Sequence, residues 1–230
     1  MQSFKKNLAL LCLYFAKGIG PVYQRRLLEK FGNSMEEVFL EKNFSDLAQA
    51  VAGDLPVSLL KNIYEDSNLK RAEKELEWLE KNQSKIISIL DADYPLLLKN
   101  IHNPPALLFS RGNFSSWTDF LPIAFVGTRE ITDYGKKVIS HLIESLEETS
   151  VVVVSGFAKG VDAYTHKAAL KAHLPTIGVL GTGLDYIYPR ENEDLYYEMI
   201  EQGGFLTEYP TGTMPHPGHF PDRNRIVSGI

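Results

Sequence analysis

Four loops of the sequence combine glycine with polar or basic side chains directly after predicted strands. They are FVGTREITDYG at 125–135, VSGFAKGVDAYTH at 154–166, LGTGLDYIYPREN at 180–192 and EYPTGTMPHPGHFPDRNR at 208–225. Glycine allows tight turns, and backbone amides at a helix start attract anions, while Arg and Lys bind phosphate oxygens. A single loop of this kind is equally explained by a turn with solvated charges. Four loops that converge on one sheet edge favour a phosphate-binding site.

Other phosphate and metal sites have signatures that are weak or missing here. GTGLDY at 181–186 starts like a dinucleotide-binding fingerprint, but Tyr186 occupies the position of the third glycine. The P-loop pattern GxxxxGK[ST] does not occur in the sequence. His216 and His219 lie three residues apart without a third ligand close in sequence. We therefore predict neither a cofactor nor a metal.

Catalytic side chains are few. Asp162 and His166 are four residues apart on one helix face, which suits an acid–base pair but also a capping aspartate beside a packed histidine. Glu208, at the end of a predicted strand, is the remaining candidate carboxylate. We therefore expect a binding protein rather than an enzyme.

Composition limits the class of protein. The 230 residues are 44% apolar and 23% charged, as in ordinary folded domains, and runs such as Val151 to Val154 are too short to cross a membrane. Cys12 is the sole cysteine, which predicts a buried core residue in a reducing cytoplasm. The net charge of −5 excludes a uniformly basic surface, so nucleic-acid binding needs a local basic patch.

The spacing of apolar residues predicts two domains, a helical domain at 1–83 and an α/β domain at 84–230. Helical periodicity dominates the first domain and includes a helix from Met35 to Leu40, with Ser34 as N-cap, and another from Asn68 to Asn82.

Strands and helices alternate in the second domain, which predicts a Rossmann-like parallel sheet with helices on both faces. The predicted strands are 85–90, 122–126, 151–154, 176–180 and 205–208, with a turn and another strand within 103–112, and the predicted helices are 133–148, 161–172 and 192–202. A further helix begins near Arg225 and is cut short at Ile230. We therefore expect the chain to be truncated within this domain.

The helical domain has a motif of its own, KGIGPVYQRRLLEKFG at 17–32, which is similar to a helix-hairpin-helix. The turn at Gly18 and Gly20 would present backbone amides to a DNA phosphate, with Lys17 and Arg25 adding charge. A helical hairpin that only packs explains the segment equally well.

Five motifs together resemble the DNA-processing protein A (DprA/Smf) family. They are DADYPLLLKNIHNPPALLFSRGN at 91–113, IAFVGTREITDYG at 123–135, VVVVSGFAKGVDAYTHKAAL at 151–170, TIGVLGTGLDYIYPREN at 176–192 and FPDRNRIVSG at 220–229. The resemblance implies an extended Rossmann fold that binds single-stranded DNA without sequence preference. It also implies protection of incoming DNA, loading of the RecA recombinase during natural transformation, and a homodimer in the full-length protein.

Carried over by position, the resemblance assigns DNA contacts to residues of the second and fourth loops and one arginine of the first. These are Arg129, Ser155, Gly156, Lys159, Gly160, Arg223, Asn224 and Arg225. Lys17, Gly18, Gly20 and Arg25 are predicted accessory contacts.

Two other classes of function remain open. One is a nucleotide-binding Rossmann enzyme, such as a nucleoside-monophosphate phosphoribohydrolase, although its phosphate-loop pattern is missing from LGTGLDYIYP at 180–189. The other is a structural adaptor that binds a partner protein through the helical domain, which leaves the basic loops unexplained.

Overall fold

The structure of the chain, a computed structural model, describes residues 2–32, 48–49, 56–113 and 119–230. The helix predicted for Met35 to Leu40 and its N-cap Ser34 lie outside these residues. The chain divides into two compact units. The first comprises Met1–Asn82, Ser88–Ala92 and Asn103–Leu107, and the second comprises Gln83–Ile87, Asp93–His102 and Leu108–Ile230.

Helices build the first unit. Their bounds are Gln2–Phe15 for α1, Pro21–Phe31 for α2, Val57–Leu60 for α3 and Asp66–Lys81 for α4, with a 3-10 helix at Lys61–Tyr64. α1 packs along α4, and leucines at helical spacing form the core. Cys12 is buried among them, and burial followed by the charge of Glu73 raises the pKa of its thiol to about 11. The prediction of a core cysteine is confirmed.

Six strands form one sheet with the order β1-β2-β6-β5-β4-β3. Their bounds are Ser84–Ser88 for β1, Leu107–Gly112 for β2, Leu121–Ala124 for β3, Val151–Ser155 for β4, Thr176–Val179 for β5 and Gly204–Thr207 for β6. Strands β3 to β6 are parallel, as predicted, but β2 pairs antiparallel with β6. The sheet is therefore mixed.

The burial of the strands explains their sequences. Every residue of β4 and β5 is buried, which accounts for the unbroken apolar run at Val151 to Val154. β3, at the edge of the sheet, has exposed residues at both ends. It ends at Ala124, two residues earlier than predicted. Phe125 still donates its amide to the Val154 carbonyl at 2.9 Å, and the chain then turns into the first loop.

Four further helices flank the sheet. They are α5 at Asp133–Glu144, α6 at Val161–Lys171, α7 at Glu193–Gln202 and α8 at His219–Val227, with a 3-10 turn at Arg190–Asn192 before α7. α5 is shorter than predicted, and Glu148 beyond it has a φ of 64°, which a helix does not allow. α8 begins at His219, six residues before the predicted start at Arg225. Pro221 lies in its first turn, where proline is tolerated, so it does not prevent the helix from starting there.

Candidate functional site

A cavity lies where β3, β4 and β5 end and the predicted loops begin. Arg129 of the first loop, Gly156 and Lys159 of the second, Gly181 of the third and Arg223 of α8 all line it. It opens to solvent, and its volume of about 50 Å³ gives room for several waters or for a group as small as one phosphate.

Gly160 brings the first and second loops together. Its φ is +76°, and a Cβ there would lie 2.4 Å from the carbonyl oxygen of Thr128. The amide of the next residue, Val161, donates to that same carbonyl at 3.0 Å. Only glycine fits this contact, which places the loop carrying Arg129 against the start of α6.

Phe157 anchors the second loop to the core. Its side chain is fully buried and its ring meets the Phe205 ring edge-on at a centroid distance of 4.9 Å. Its φ of 60° is unusual for an aromatic residue, and such strain is common in ligand-binding loops. Phe157 and Lys159 both line the cavity, and among the described residues none accepts a hydrogen bond from their backbone amides. Lys159 is exposed, so its amide can serve an anion.

The charges around the cavity also favour an anion. Arg129 is exposed, and no described side chain pairs with it. Burial lowers the pKa of the Arg223 guanidinium, the carboxylate of Asp162 opposes this, and the positive charge of Arg129 adds to the lowering. The two like charges thus repel each other, and an anion bound at Arg129 would reduce that repulsion.

The predicted contacts on the first two loops have different environments. Ser155 is fully buried and its hydroxyl donates to the Phe125 carbonyl at 2.7 Å. Lys159 is half exposed and its Nζ pairs with Glu191 Oε2 at 2.5 Å. Gly156 and Lys159 line the cavity, whereas Ser155 and Gly160 support the loop from behind. The contacts themselves stay predictions.

The predicted contacts at 223–225 lie on α8 and point in different directions. Arg223 is only 4% exposed, and its guanidinium donates to the carbonyls of Gly156 and Val179. Asn224 is exposed and accepts from Arg223 Nε at 3.2 Å. Arg225 does not line the cavity, because its Nη2 pairs with Glu208 Oε2 at 2.5 Å.

Glu208 and Arg225 form a partly buried ion pair. Burial raises the pKa of Glu208, and the adjacent Arg225 opposes that rise. Nη1 of Arg225 is buried and has no partner among the described residues. The carboxylate of Glu208 is therefore committed to Arg225, and it does not line the cavity.

The structure favours the packed histidine over the acid–base pair. His166 is fully buried, its Nδ1 lies 2.7 Å from Thr176 Oγ1, and burial followed by the charge of Arg223 lowers its pKa to about 3. Asp162 is 8% exposed and accepts the amide of Ala158 at 3.2 Å. Its carboxylate organises the second loop, not the first turn of α6 as a capping residue would.

The two loop histidines have other partners. The ring of His219 stacks on Tyr209 at 4.3 Å, and its Nδ1 lies 3.2 Å from the Gly181 carbonyl oxygen. His216 accepts the amide of Gly218 at 3.2 Å. Within the described part of the chain, no group of three or more His, Cys, Asp and Glu is placed to hold a metal ion.

The predicted DNA contacts in the hairpin of the helical unit have different environments. Lys17, Gly18 and Gly20 are exposed at the turn between α1 and α2. Arg25 is engaged elsewhere in the unit, since it donates to the Pro104 carbonyl at 2.7 Å and to Asn103 at 2.9 Å. The turn is therefore accessible, while Arg25 has a structural role.

Sequence reasoning missed three residues of the third loop. Tyr188 lines the cavity, Arg190 is exposed directly after the cavity residue Pro189, and Glu191 pairs with Lys159. The motif YPREN contained the signal for Arg190, a cation on a loop already predicted to reach the site. The partner of Lys159 had no signal, because the two residues are distant in sequence.

None of the helices in the described ranges is both long enough and apolar enough to span a bilayer.

Comparison with known proteins identifies the family. The model of the family described as DNA recombination-mediator protein A matches residues 85–230. The chain is 44% identical to the DNA processing protein DprA of Bacillus subtilis over 144 residues, which are 63% of this chain and 48% of that protein. It is 36% identical to protein Smf of Synechocystis over 220 residues, 93% of this chain and 54% of that protein. The chain thus spans about half the length of these curated relatives.

Two solved structures are also similar. An X-ray structure of DNA processing protein A from Streptococcus pneumoniae superposes with a TM-score of 0.70 and 32% identity, over 98% of this chain and 72% of that one. A structure of DNA processing protein A from Helicobacter pylori, described as showing a single-stranded DNA binding mode, gives a TM-score of 0.56 and 32% identity, over 63% of this chain and 64% of that one. The resemblance found in the five motifs is confirmed: the chain belongs to the DNA recombination-mediator protein A (DprA/Smf) family.

Proposed function

We propose that the α/β unit binds single-stranded DNA without sequence preference and holds a backbone phosphate in the cavity beside Arg129. The observation that carries this proposal is a cavity at the strand ends that is lined by two exposed basic residues, Arg129 and Lys159, of which Arg129 has no described partner. Every nucleotide carries a phosphate, so contacts of this kind are independent of sequence and sensitive to salt.

In the full-length protein, this activity would protect incoming DNA and load RecA during natural transformation, in the cytoplasm and as a homodimer. Membership of the family supports this role, and so does the single-stranded DNA that the Helicobacter pylori relative is described as binding. The proposed contacts are Arg129, the side chain of Lys159 and the free backbone amide of Lys159, with exposed Asn224 and Arg190 next to them. The turn at Lys17, Gly18 and Gly20 is a proposed accessory contact.

A nucleotide-cleaving enzyme has less support. Such chemistry needs a carboxylate that can reach the sugar, and the two buried candidates are engaged, Asp162 with the Ala158 amide and Glu208 with Arg225. We therefore propose a binding protein without enzymatic activity.

The test is binding of a fluorescent oligo-dT of about 30 nucleotides to the whole chain, at roughly 50 and 200 mM salt. Arg129→Ala should weaken binding roughly tenfold, since a charge-assisted hydrogen bond contributes about 1.5 kcal/mol or more. Lys171→Ala is the matched control, because it removes the same charge at the opposite end of α6 from the cavity.

Two results would contradict the proposal. One is the failure of a folded wild-type chain to bind at low salt. The other is an equal loss of affinity in Arg129→Ala and Lys171→Ala, because Arg129 would then act only through the net charge of the chain. Binding and turnover of nucleoside monophosphates would favour the enzyme instead.

A further inference from the structure

We infer that Arg223 and Asp162 are positioning residues that hold the phosphate-binding loop in shape, and that Arg223 makes no direct phosphate contact. The inference rests on the proposed function. It revises the role that the motif resemblance assigns to Arg223, and it gives Asp162 a role that the motif resemblance leaves unassigned.

Arg223 ties together the ends of two neighbouring strands. Gly156 follows β4 and Val179 ends β5, and Nη1 of Arg223 donates to the carbonyl oxygens of both. Its Nε donates to Asn224 Oδ1 at 3.2 Å. The guanidinium is thus fixed by carbonyls at the ends of two strands and by its own helix. Its Nη1 and Nε donors are directed into the protein.

Asp162 acts on the same loop from the opposite side. It reaches from α6 and accepts the Ala158 amide at 3.2 Å. Burial raises its pKa, whereas the hydrogen bond from Ala158 and the charge of Arg223 oppose the rise. The carboxylate thus holds the Ala158 amide of the loop on the side that faces α6.

Gly156 shows how closely the two side chains approach the loop. A Cβ at this position would lie 2.6 Å from Arg223 Nη2 and 2.7 Å from Asp162 Oδ2. Both charged groups therefore lie close to the Cα of Gly156, and only glycine, which has no Cβ, leaves space for them. The next residue is the strained Phe157, which lines the cavity. Moving either charged group would therefore move this part of the loop.

Arg129 offers the contrast that defines a phosphate contact. It is exposed and without a described partner, whereas Arg223 is buried with its Nη1 and Nε donors in use. A cation that neutralises a phosphate contributes to the release of counterions, and each one adds about 0.7 to the salt slope for single strands. A positioning residue changes affinity without changing that slope.

The experiment measures oligo-dT affinity against salt for the whole chain with Arg129→Met, Arg223→Met, Asp162→Asn and the control Lys171→Met. Arg129→Met should lower the affinity and reduce the slope by about 0.7. Arg223→Met and Asp162→Asn should each lower the affinity at least fivefold with the slope unchanged. A slope that falls equally in Arg223→Met and Arg129→Met overturns the inference, because Arg223 is then a phosphate contact.

A double variant separates positioning from stability. Asp162→Asn with Arg223→Met removes both buried charges, so its resistance to urea should return towards the wild-type value. Its affinity should stay low, because the bridge between the strand ends is still missing. Recovery of affinity together with stability overturns the inference.

A measurement on the wild-type chain covers the case in which the single variants do not fold. The Nε–H signal of Arg129 in ¹⁵N spectra should shift as oligo-dT is added, while that of Arg223 keeps its position. A larger shift for Arg223 than for Arg129 overturns the inference. Failure of the wild-type chain to bind oligo-dT would instead refute the proposed function.

Discussion

Under the proposed function, Glu191 competes with DNA for Lys159, and removing its charge should strengthen binding. The carboxylate lies 2.5 Å from Lys159 Nζ, and the two side chains are 52% and 53% exposed. An exposed pair of this kind contributes about 0.2–1 kcal/mol, which DNA must replace before its phosphate reaches Lys159. We therefore expect Glu191→Gln to raise the affinity for oligo-dT by roughly 1.4- to 5-fold.

The assay is fluorescence anisotropy over a series of salt concentrations. The salt dependence should also become steeper in Glu191→Gln, because Lys159 then starts without a protein counter-ion. Glu193→Gln is the matched control, since it removes the same charge from an exposed position two residues away.

A double-variant cycle isolates the ion pair. In a Lys159→Met background, Glu191→Gln should give no more gain than Glu193→Gln. Equal affinities for Glu191→Gln and Glu193→Gln in the wild-type background would refute the reasoning, because Lys159 would then not be a DNA contact.

Three further predictions concern stability. Gly160→Ala should destabilise the fold by about 1–3 kcal/mol in urea unfolding, because its Cβ would meet the Thr128 carbonyl at a φ of +76°, whereas a change below 0.5 kcal/mol would contradict that contact. His166 is neutral when folded, with a pKa of about 3, so the chain should lose about 2 kcal/mol of stability as the pH falls from 7 to 5, and His166→Gln should abolish this loss. Arg225→Met leaves Glu208 without its ion-pair partner. Burial already raises the pKa of Glu208, so we expect the variant to lose about 3–5 kcal/mol of stability at pH 7. This loss should shrink as the pH falls towards the ordinary carboxyl pKa of about 4.3. A loss independent of pH would argue against the pair.

The sequence predicted those parts of the fold that depend on local pattern. β4 and β5 were predicted within one residue, because fully buried strands read as unbroken apolar runs. The loops after these strands were predicted from their glycines. Their position was predicted from the rule that the carboxyl ends of parallel strands lie at one edge of the sheet. The reversed direction of β2 could not be predicted, because an apolar run does not record the direction of its partner.

The arginines of the RNR run show what a sequence pattern leaves out. On helix α8, Arg223 and Arg225 are about 200° apart, so Arg223 lines the cavity and Arg225 pairs with Glu208. A helix predicted to start six residues later does not separate them in this way.

Arg129 was easier to find than its surroundings. It lies on a loop directly after a strand, and a cation in that position is exposed by the geometry of the fold. The ion pair between Lys159 and Glu191 and the bridge from Arg223 to two strand ends join residues far apart in sequence. Such contacts require the three-dimensional structure.

Hydrogen–deuterium exchange of the whole chain, with and without oligo-dT, tests the central claim most directly, because it locates the bound strand on the backbone. We predict slower exchange at the amides of Phe157, Lys159 and the segment 127–130 when the oligonucleotide is present. Protection confined to the turn at 17–20, or no protection on either loop at a saturating oligonucleotide concentration, would contradict a phosphate site in the cavity.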